Sequence, residues 1–526
     1  MRIVVGGPLS TYVKARTADA IGDQGRAAEL FAALAGTDPK DFTLGRRAVT
    51  AAINAGAFDL ALSSARRLPE QELALDGRLL LIADALRRGR PSEAIALGAT
   101  PDSDAAFLVP LLSAWNDSAA GRDGERQLTG SAATESLLAP FLAEQRAFLL
   151  VAHGRTAEAA PLIKEALSRA GGRETRLRLA FADGLRKAGD QAGAEALLSD
   201  EEPAFRASAQ HPAAPGIAID SAAAAYAELM LGIAVTLSQS QERSLPIALV
   251  QSARLAAPQS SEAAIVLALL LDRDKRPEDA LAVLRGVSPS DPFVGDARDT
   301  QARLLWTMGR KTEAVAFARE AVTTAGQAAT AEDWARLGNA LDEAGQHSES
   351  ADAFARAAAL ADAAGASNRW TFRLLRADQL EEIDRWPEAK AELRAALAVS
   401  PEQPLVLNFL GYGSLEHGED LVAAEAMIRK ASGLVPDDAS ITDSLGWALF
   451  KTGRTAEAIE TLRKAAAGDP AQAEIHEHLG DALYTAGRRI EARFSWNAAL
   501  VTAEGKEKQR IEAKLETGLT PATAAP

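Results

Sequence analysis

The strongest constraint on the fold of this chain is a sequence pattern that returns about every 34 residues. The stretch 445–449 (LGWAL) is followed by Gly453-Arg454, and the pattern begins again at 479–483 (LGDAL) with Gly487-Arg488. Small residues recur at the equivalent position of each unit, near residues 15, 48, 83, 147, 182, 268, 302, 338, 377, 411, 446 and 480. A chain of this kind folds by stacking similar units, and each unit packs mainly on its neighbours.

Each unit predicts two helices joined by a short turn. Apolar residues recur at i, i+3, i+4 and i+7 on both sides of a Gly-Arg, Gly-Asp or Gly-Gln pair. A proline, which disfavours helix for the residue before it, closes the second helix in units that end at Pro39, Pro292, Pro401, Pro436 and Pro470. Small residues let two helix backbones approach where they cross, and Leu, Phe or Trp fills the space between neighbours. The sequence therefore predicts an all-α solenoid of stacked helix-turn-helix repeats.

Composition narrows the classes of function. The 526 residues are 47% hydrophobic, and 57 basic against 72 acidic residues give a net charge of −15. An acidic chain is repelled by phosphate backbones and anionic lipid, so we expect no nucleic-acid or membrane-surface role. No stretch approaches the roughly 18 to 20 uninterrupted apolar residues of a membrane helix, so we expect no direct membrane insertion. The chain contains no cysteine, which excludes disulfides, thiolate zinc sites and cysteine nucleophiles.

The repeating pattern resembles the tetratricopeptide repeat, in which a Trp-x2-Leu-Gly stretch precedes an Ala-x3-Phe stretch and a terminal Pro. The resemblance is strong over 334–357 and 408–500 and weaker in the N-terminal half, where larger residues replace Gly. The last block is similar to a group of bacterial, and in particular alphaproteobacterial, proteins of this kind. The resemblance implies a right-handed superhelix in which the first helix of each repeat lines an inner groove.

Two breaks in the period predict the domain organisation. One is polar and rich in Gly, Ser and Thr, and the other contains three prolines and no helical period. The predicted segments are an N-terminal degenerate array at 1–198 with an exposed loop at 116–134, a hinge or insertion at 199–221, a C-terminal array at 222–516 that is best formed at 405–500, and a disordered tail at 517–526.

The sequence offers little catalytic chemistry. His476 and His478, with acidic neighbours, are the one cluster that resembles metal ligands. Residues at i and i+2 of a helix point about 200° apart, so the two rings cannot share one ion. Once the repeats are assigned, no segment of about 100 residues remains for a catalytic domain. We expect no enzyme activity, no bound metal and no cofactor, and an enzyme or metal-dependent protein acting around His476–Asp481 is the less favoured alternative.

Binding residues are expected on first helices, at positions that do not pack on neighbours. The predicted groove residues are Asn408, Tyr412, Asp443, Trp447, Phe450, Glu477, Asp481 and Tyr484, and the upstream continuation is Asp299, Arg303, Arg336, Asn339, Asp342, Asp378 and Glu381. Some tetratricopeptide proteins grip a terminal carboxylate with basic residues at such places, but here carboxylates stand there and would repel it. A neutral or basic protein segment is the expected ligand. The alternative that Trp447 and Phe450 only fill the core between adjacent repeats stays open.

These observations favour a non-catalytic scaffold or adaptor that binds a peptide or protein segment in its groove. An alternative is a structural or regulatory component of a cell-envelope complex that acts through its outer surface. The apolar run at 3–5 is too short for an export signal, so the expected location is cytoplasmic, or periplasmic if an upstream export segment is missing. The partner, the pathway and the oligomeric state stay open.

Overall fold

The repeated sequence pattern folds into helical hairpins. A computed structural model of the chain describes residues 7–100, 103–199, 204–205, 218–238 and 243–525. The described residues are 76% helical, and they form 30 α-helices and no β-strand. This confirms the predicted all-α class of stacked helix-turn-helix repeats. Within the same described ranges, every helix is too short or too polar to cross a membrane.

The helices fall into two compact units, Met1–Arg310 and Lys311–Pro526. The helices of the first unit are α1 (Pro8–Ala20), α2 (Gln24–Thr37), α3 (Phe42–Asn54), α4 (Phe58–Ala65), α5 (Leu75–Arg87), α6 (Pro91–Gly98), α7 (Val109–Ala119), α8 (Glu125–Thr129), α9 (Ser131–Thr134), α10 (Leu142–Ala152), α11 (Thr156–Ser168), α12 (Glu174–Lys187), α13 (Gln191–Leu197), α14 (Ala222–Leu237), α15 (Ser244–Ala256), α16 (Ser261–Arg273), α17 (Pro277–Leu284) and α18 (Val294–Thr307).

The second unit consists of five complete hairpins between a leading and a final helix. Its helices are α19 (Lys311–Ala325), α20 (Ala331–Glu343), α21 (His347–Ala364), α22 (Arg369–Glu382), α23 (Trp386–Val399), α24 (Pro404–Glu416), α25 (Leu421–Leu434), α26 (Ala439–Lys451), α27 (Thr455–Gly468), α28 (Ala473–Thr485), α29 (Arg489–Ala499) and α30 (Gly505–Thr517). Helices α20, α22, α24, α26 and α28 each pack on the helix that follows, and each hairpin also packs on the next hairpin.

Glycine allows the two helices of a hairpin to cross closely. A Cβ atom at Gly480 would lie 2.3 Å from Trp496 Cδ1, and one at Gly446 would lie 2.6 Å from Leu462 Cγ. Real Cβ atoms do not approach a neighbour so closely, so a larger residue would push the two helices apart. Trp496, which fills the space beside Gly480, is fully buried. The repeated small residues therefore set the distance between the paired helices, as the sequence predicts.

The turn inside each hairpin needs a left-handed residue. Gly453 adopts φ +82° between α26 and α27, and the amide of Arg454 donates to the Leu449 carbonyl at 2.8 Å. Glycine adopts this conformation at no steric cost. At the turn between α22 and α23 the position is taken by Asp384 with φ +58°, so the hairpin geometry requires this backbone conformation even without glycine.

Two segments differ from the predicted organisation. The polar stretch 116–134 is not a plain exposed loop, because it contains the end of α7 and the helices α8 and α9, and Leu128 and Ala133 are fully buried. The tail 517–526 packs on the last hairpin, since the amide of Ala525 donates to Asp481 Oδ2 at 3.1 Å. Each segment buries an apolar side chain in the core. The free energy of that burial orders the segment although most of its residues are polar.

The predicted hinge at 199–221 lies largely outside the described residues. Side chains from both sides of it meet inside the first unit: the Tyr226 hydroxyl donates to the Leu79 carbonyl at 2.9 Å, and Arg173 donates to Glu228 Oε1 at 2.7 Å. The division into two compact units falls after Arg310, and the predicted hinge stays a prediction.

The close crossing at Gly480 leads to a test of stability. We expect Gly480→Ala to lower the free energy of unfolding by about 1–3 kcal/mol, because the added methyl group overpacks the contact with Trp496. The measurement is chemical denaturation followed by circular dichroism.

Gly433→Ala is the matched control, because Gly433 is an exposed residue near the end of α25, and a methyl group added there would meet no atom within 4 Å. This change should be neutral or slightly stabilising, since alanine favours helix over glycine by about 1 kcal/mol. Equal unfolding curves for the two variants would contradict the packing role of Gly480.

Candidate functional site

The first helices of four successive hairpins form one surface of the second unit. We call the surface formed by α22, α24, α26 and α28 the first-helix face. Local sequence sets where these helices begin: Pro404 occupies the first turn of α24, and the Asp438 side chain accepts a hydrogen bond from the Ile441 amide at 2.9 Å to start α26. Residues spaced by three and four along these helices therefore share the same face.

The structure buries half of the predicted groove residues. The exposed fraction is 4% for Asp443, 1% for Trp447, 0% for Glu477 and 1% for Asp481. The remaining four, Asn408, Tyr412, Phe450 and Tyr484, are half-buried. The prediction that all eight side chains line an open groove is therefore wrong for Trp447, Glu477 and Asp481, which other parts of the unit cover.

Helix α30 covers the last hairpin and neutralises its acidic residues. Arg510 donates two hydrogen bonds of 2.7 Å to the Glu477 carboxylate, and the buried Lys514 ammonium contacts Glu477 Oε1 at 2.5 Å and Asp481 Oδ2 at 2.7 Å. Trp496 Nε1 donates to Asp481 Oδ1 at 2.9 Å. These carboxylates hold the chain's own C-terminal helix in place, so they are not free for a partner.

Desolvation and the neighbouring cations shift the pKa values of Glu477 and Asp481 in opposite directions. Burial tends to raise the pKa of Glu477, but the bonds from Arg510 and Lys514 outweigh it and hold that pKa below its usual range. For Asp481, burial dominates over Lys514 and raises the pKa. Each carboxylate accepts bonds from cationic or amide donors, which is what the burial of a charged group requires.

Trp447 is a packing residue between two hairpins. Its ring stacks on His478 with centroids 4.1 Å apart and on Phe450 with centroids 5.0 Å apart. His478 Nδ1 lies 2.8 Å from Asp443 Oδ2. Burial tends to lower the pKa of His478, but the Asp443 carboxylate outweighs burial, so the pKa lies above its usual value. The alternative that Trp447 and Phe450 fill the core between repeats is the one the geometry supports.

An open pocket lies on the first-helix face, one turn toward the helix N-termini from Trp447 and Glu477. Its volume is about 280 Å³, and its lining combines acidic, amide, hydroxyl and aromatic side chains. The lining residues are Asp378, Asn408, Phe409, Tyr412, Ser440, Asp443, Ser444, Gln472 and Glu474. We call this cavity the 408–474 pocket. It contains three of the predicted groove residues, together with Asp378 from the predicted upstream continuation.

The charged side chains among the described residues that line the pocket are all acidic. The Tyr412 hydroxyl donates to Glu474 Oε1 at 3.1 Å. Desolvation and the carboxylates of Glu474, Glu416 and Asp443 raise the pKa of Tyr412 well above its usual value, because an ionised phenol would be repelled by these charges. The pocket therefore has a negative potential that favours a cationic or hydrogen-bond-donating group.

Sequence reasoning missed five lining residues: Phe409, Ser440, Ser444, Gln472 and Glu474. Ser440 and Glu474 stand three residues before Asp443 and Glu477, on the same helix face one turn earlier. The sequence could have indicated these residues through their i−3 spacing. Only the structure shows that α30 covers Glu477 while Glu474, one turn earlier, lines the open pocket.

The His476 and His478 side chains diverge. His476 Nε2 lies 3.1 Å from the Pro470 carbonyl oxygen, whereas His478 turns toward Asp443. In the part of the chain that the structure describes, no group of three or more His, Asp or Glu side chains is arranged to hold a metal ion.

The buried ammonium of Lys514 leads to a second test of stability. We expect Lys514→Met to lower the free energy of unfolding by about 3–5 kcal/mol, because it leaves the buried Asp481 carboxylate without a counter-charge and removes one of the two cations that pair with Glu477. Hydrogen exchange should show lost protection in α30 and α28. Lys508→Met removes an exposed ammonium from the same helix and should leave protection unchanged, and equal protection in both variants would contradict the role of Lys514.

His478 predicts a pH dependence of stability. Its pKa is raised in the folded chain, so the stabilisation from the protonated ring is complete below the unfolded value of about 6.5 and is lost as the pH rises through the folded pKa. We expect denaturation midpoints of the wild type to fall over that range and those of His478→Gln to change less. His476→Gln, on the same helix, should keep the wild-type dependence, and a flat wild-type profile would contradict the assignment.

One stretch of the second unit matches a known family model. Residues 446–487 match the family model described as the TPR repeat. A TPR repeat-containing protein of Pseudomonas aeruginosa is 35% identical over 71 residues, which are 14% of this chain and 12% of that protein. The match thus spans about an eighth of the relative's length. Because this relative is a Pseudomonas protein, the resemblance to an alphaproteobacterial group is not confirmed.

Solved structures of similar architecture include the hetero-tetramer of Cut9 and Hcn1 from the APC/C, at a TM-score of 0.38 and 14% identity, covering 98% of this chain and 97% of that one. A tetratricopeptide repeat protein from Parabacteroides merdae has a TM-score of 0.38 and 14% identity, and the match covers 49% of this chain and 98% of that one. The family match identifies residues 446–487 as a tetratricopeptide repeat, and the described helices α20 to α29 of the second unit pair into hairpins in the same way.

Proposed function

We propose that this chain is a non-catalytic scaffold that binds a segment of a partner protein on the first-helix face of its second unit. The tetratricopeptide architecture is in general a scaffold for protein–protein interaction. The observation that supports binding on this face is the 408–474 pocket, to which four consecutive first helices contribute side chains.

Several properties of the face suit an extended polypeptide. The pocket offers amide and hydroxyl groups of Asn408, Ser440 and Gln472, which can pair with the backbone of a bound segment. Phe409 and Tyr412 add aromatic surface, which contributes contact area at low entropic cost. Ser440 is exposed, so a ligand can reach this part of the face.

The negative potential favours neutral or basic segments over acidic ones. Asp378, Asp443 and Glu474 line the pocket, and none of the described residues that line it is basic. A terminal carboxylate would meet repulsion at this place. The proposed ligand is therefore a protein segment that presents hydrogen-bond donors or positive charge.

Site-specific photo-crosslinking in the organism that encodes the chain tests the proposal. A benzophenone amino acid at Ser440 lies beside the pocket, and one at Ala467 lies on an exposed position of α27, the second helix of the same hairpin. We expect discrete protein adducts from position 440 and few from position 467, because the ligand is held on first helices.

Adducts that form at 467 and not at 440 would contradict the proposal and favour the outer-surface role in an envelope complex. Unfolding curves of the two substituted proteins serve as the control for folding. The identity of the adducts also reports the compartment in which the chain acts.

A further inference from the structure

The 408–474 pocket contains buried acceptor oxygens without a partner. Asp443 is 4% exposed, and its Oδ2 atom contacts His478, but its Oδ1 atom has no hydrogen-bond partner. Asn408 Oδ1 is likewise buried and unpartnered. More than 90% of buried polar groups in proteins are hydrogen-bonded, so two such oxygens on side chains that line one pocket point to a ligand that donates.

Charge specifies the kind of donor. The lining carries the carboxylates of Asp378, Asp443 and Glu474. Farther along α28, Lys514 and Arg510 neutralise Glu477 and Asp481. None of the described residues that line the pocket is basic, and His478 contacts Asp443 only through its Oδ2 atom. An incoming cation would add positive charge beside the lining carboxylates and supply the donor that Asp443 Oδ1 lacks.

The volume and lining of the pocket suit a single long side chain. A volume of about 280 Å³ is below the usual range of small-molecule pockets, about 300–1,000 Å³. Phe409 and Tyr412 contribute aromatic surface to the lining, and guanidinium and ammonium groups are attracted to aromatic faces. A long aliphatic side chain that ends in a cation fits these features.

We propose that the 408–474 pocket recognises an arginine or lysine side chain of the bound segment, with Asp443 and Asn408 as acceptors. This inference rests on the proposed function, since it specifies which residue of a bound segment the first-helix face selects. Glu474, which accepts from the Tyr412 hydroxyl, adds charge at the rim. The partner class is thus a protein that presents a basic residue in an accessible segment.

The test uses the full chain and random linear peptides displayed on phage. We expect the selected peptides to share one basic position. An enriched peptide and a version with citrulline or norleucine at that position are then compared by calorimetry. Loss of the positive charge should weaken binding by about tenfold or more, because hydrogen bonds to charged groups contribute about 1.5–3 kcal/mol.

Matched variants locate the effect in the pocket. Asp443→Asn should weaken the binding of the basic peptide by about tenfold and leave the binding of the neutral version unchanged. Glu491→Gln makes an equal change of charge on the exposed surface of α29 and should alter the affinity for neither peptide. Because Asp443 also bonds His478, denaturation curves check its fold, and Glu474→Gln provides a second variant at the rim.

The outcomes separate the two proposals. Selected peptides without a common basic position, or a neutral version that binds equally well, would overturn cation recognition while leaving binding on the first-helix face intact. Failure to select any peptide, together with no crosslinks from position 440, would remove the proposed function itself. Weakening of both peptides by Asp443→Asn at unchanged stability would show that Asp443 acts through the shape of the face and would also overturn the inference.

Discussion

The close crossing of the two helices in each hairpin is the contact on which the second unit depends. At Gly446 and Gly480 the absence of a side chain lets Leu462 and Trp496 lie against the backbone of the first helix. This spacing, repeated at each unit, aligns the first helices side by side and creates their shared face. A pocket built from four helices exists only because each hairpin repeats the same crossing.

The carboxylates of the first-helix face lie in two different environments. At the last hairpin, Glu477 and Asp481 are covered by α30 and paired with Arg510 and Lys514. One hairpin earlier, Asp443 contacts His478 through Oδ2 and keeps its Oδ1 atom without a partner. Buried charge that is paired stabilises the fold of the chain itself, while unpaired acceptors retain the capacity to bind another molecule. Because of this difference, we place the proposed binding site in the 408–474 pocket.

The sequence predicted the candidate site in part. Three of the predicted residues, Asn408, Tyr412 and Asp443, line the pocket, since residues four apart on a first helix share one face. Trp447 was assigned to the same face, yet it stacks between Phe450 and His478. An aromatic residue at helical spacing has the same sequence pattern whether it packs or binds, so the pattern could not decide between the two.

By itself the sequence determined the class of fold, the hairpin repeat and the acidic character of the first helices, since these follow from local periodicity and composition. Tertiary structure decided which acidic residues are available. Lys514 lies 33 residues beyond Asp481 in the chain but 2.7 Å from it in space, and no local pattern encodes a contact of that separation. The position of the pocket follows from which turns of the first helices such distant contacts cover.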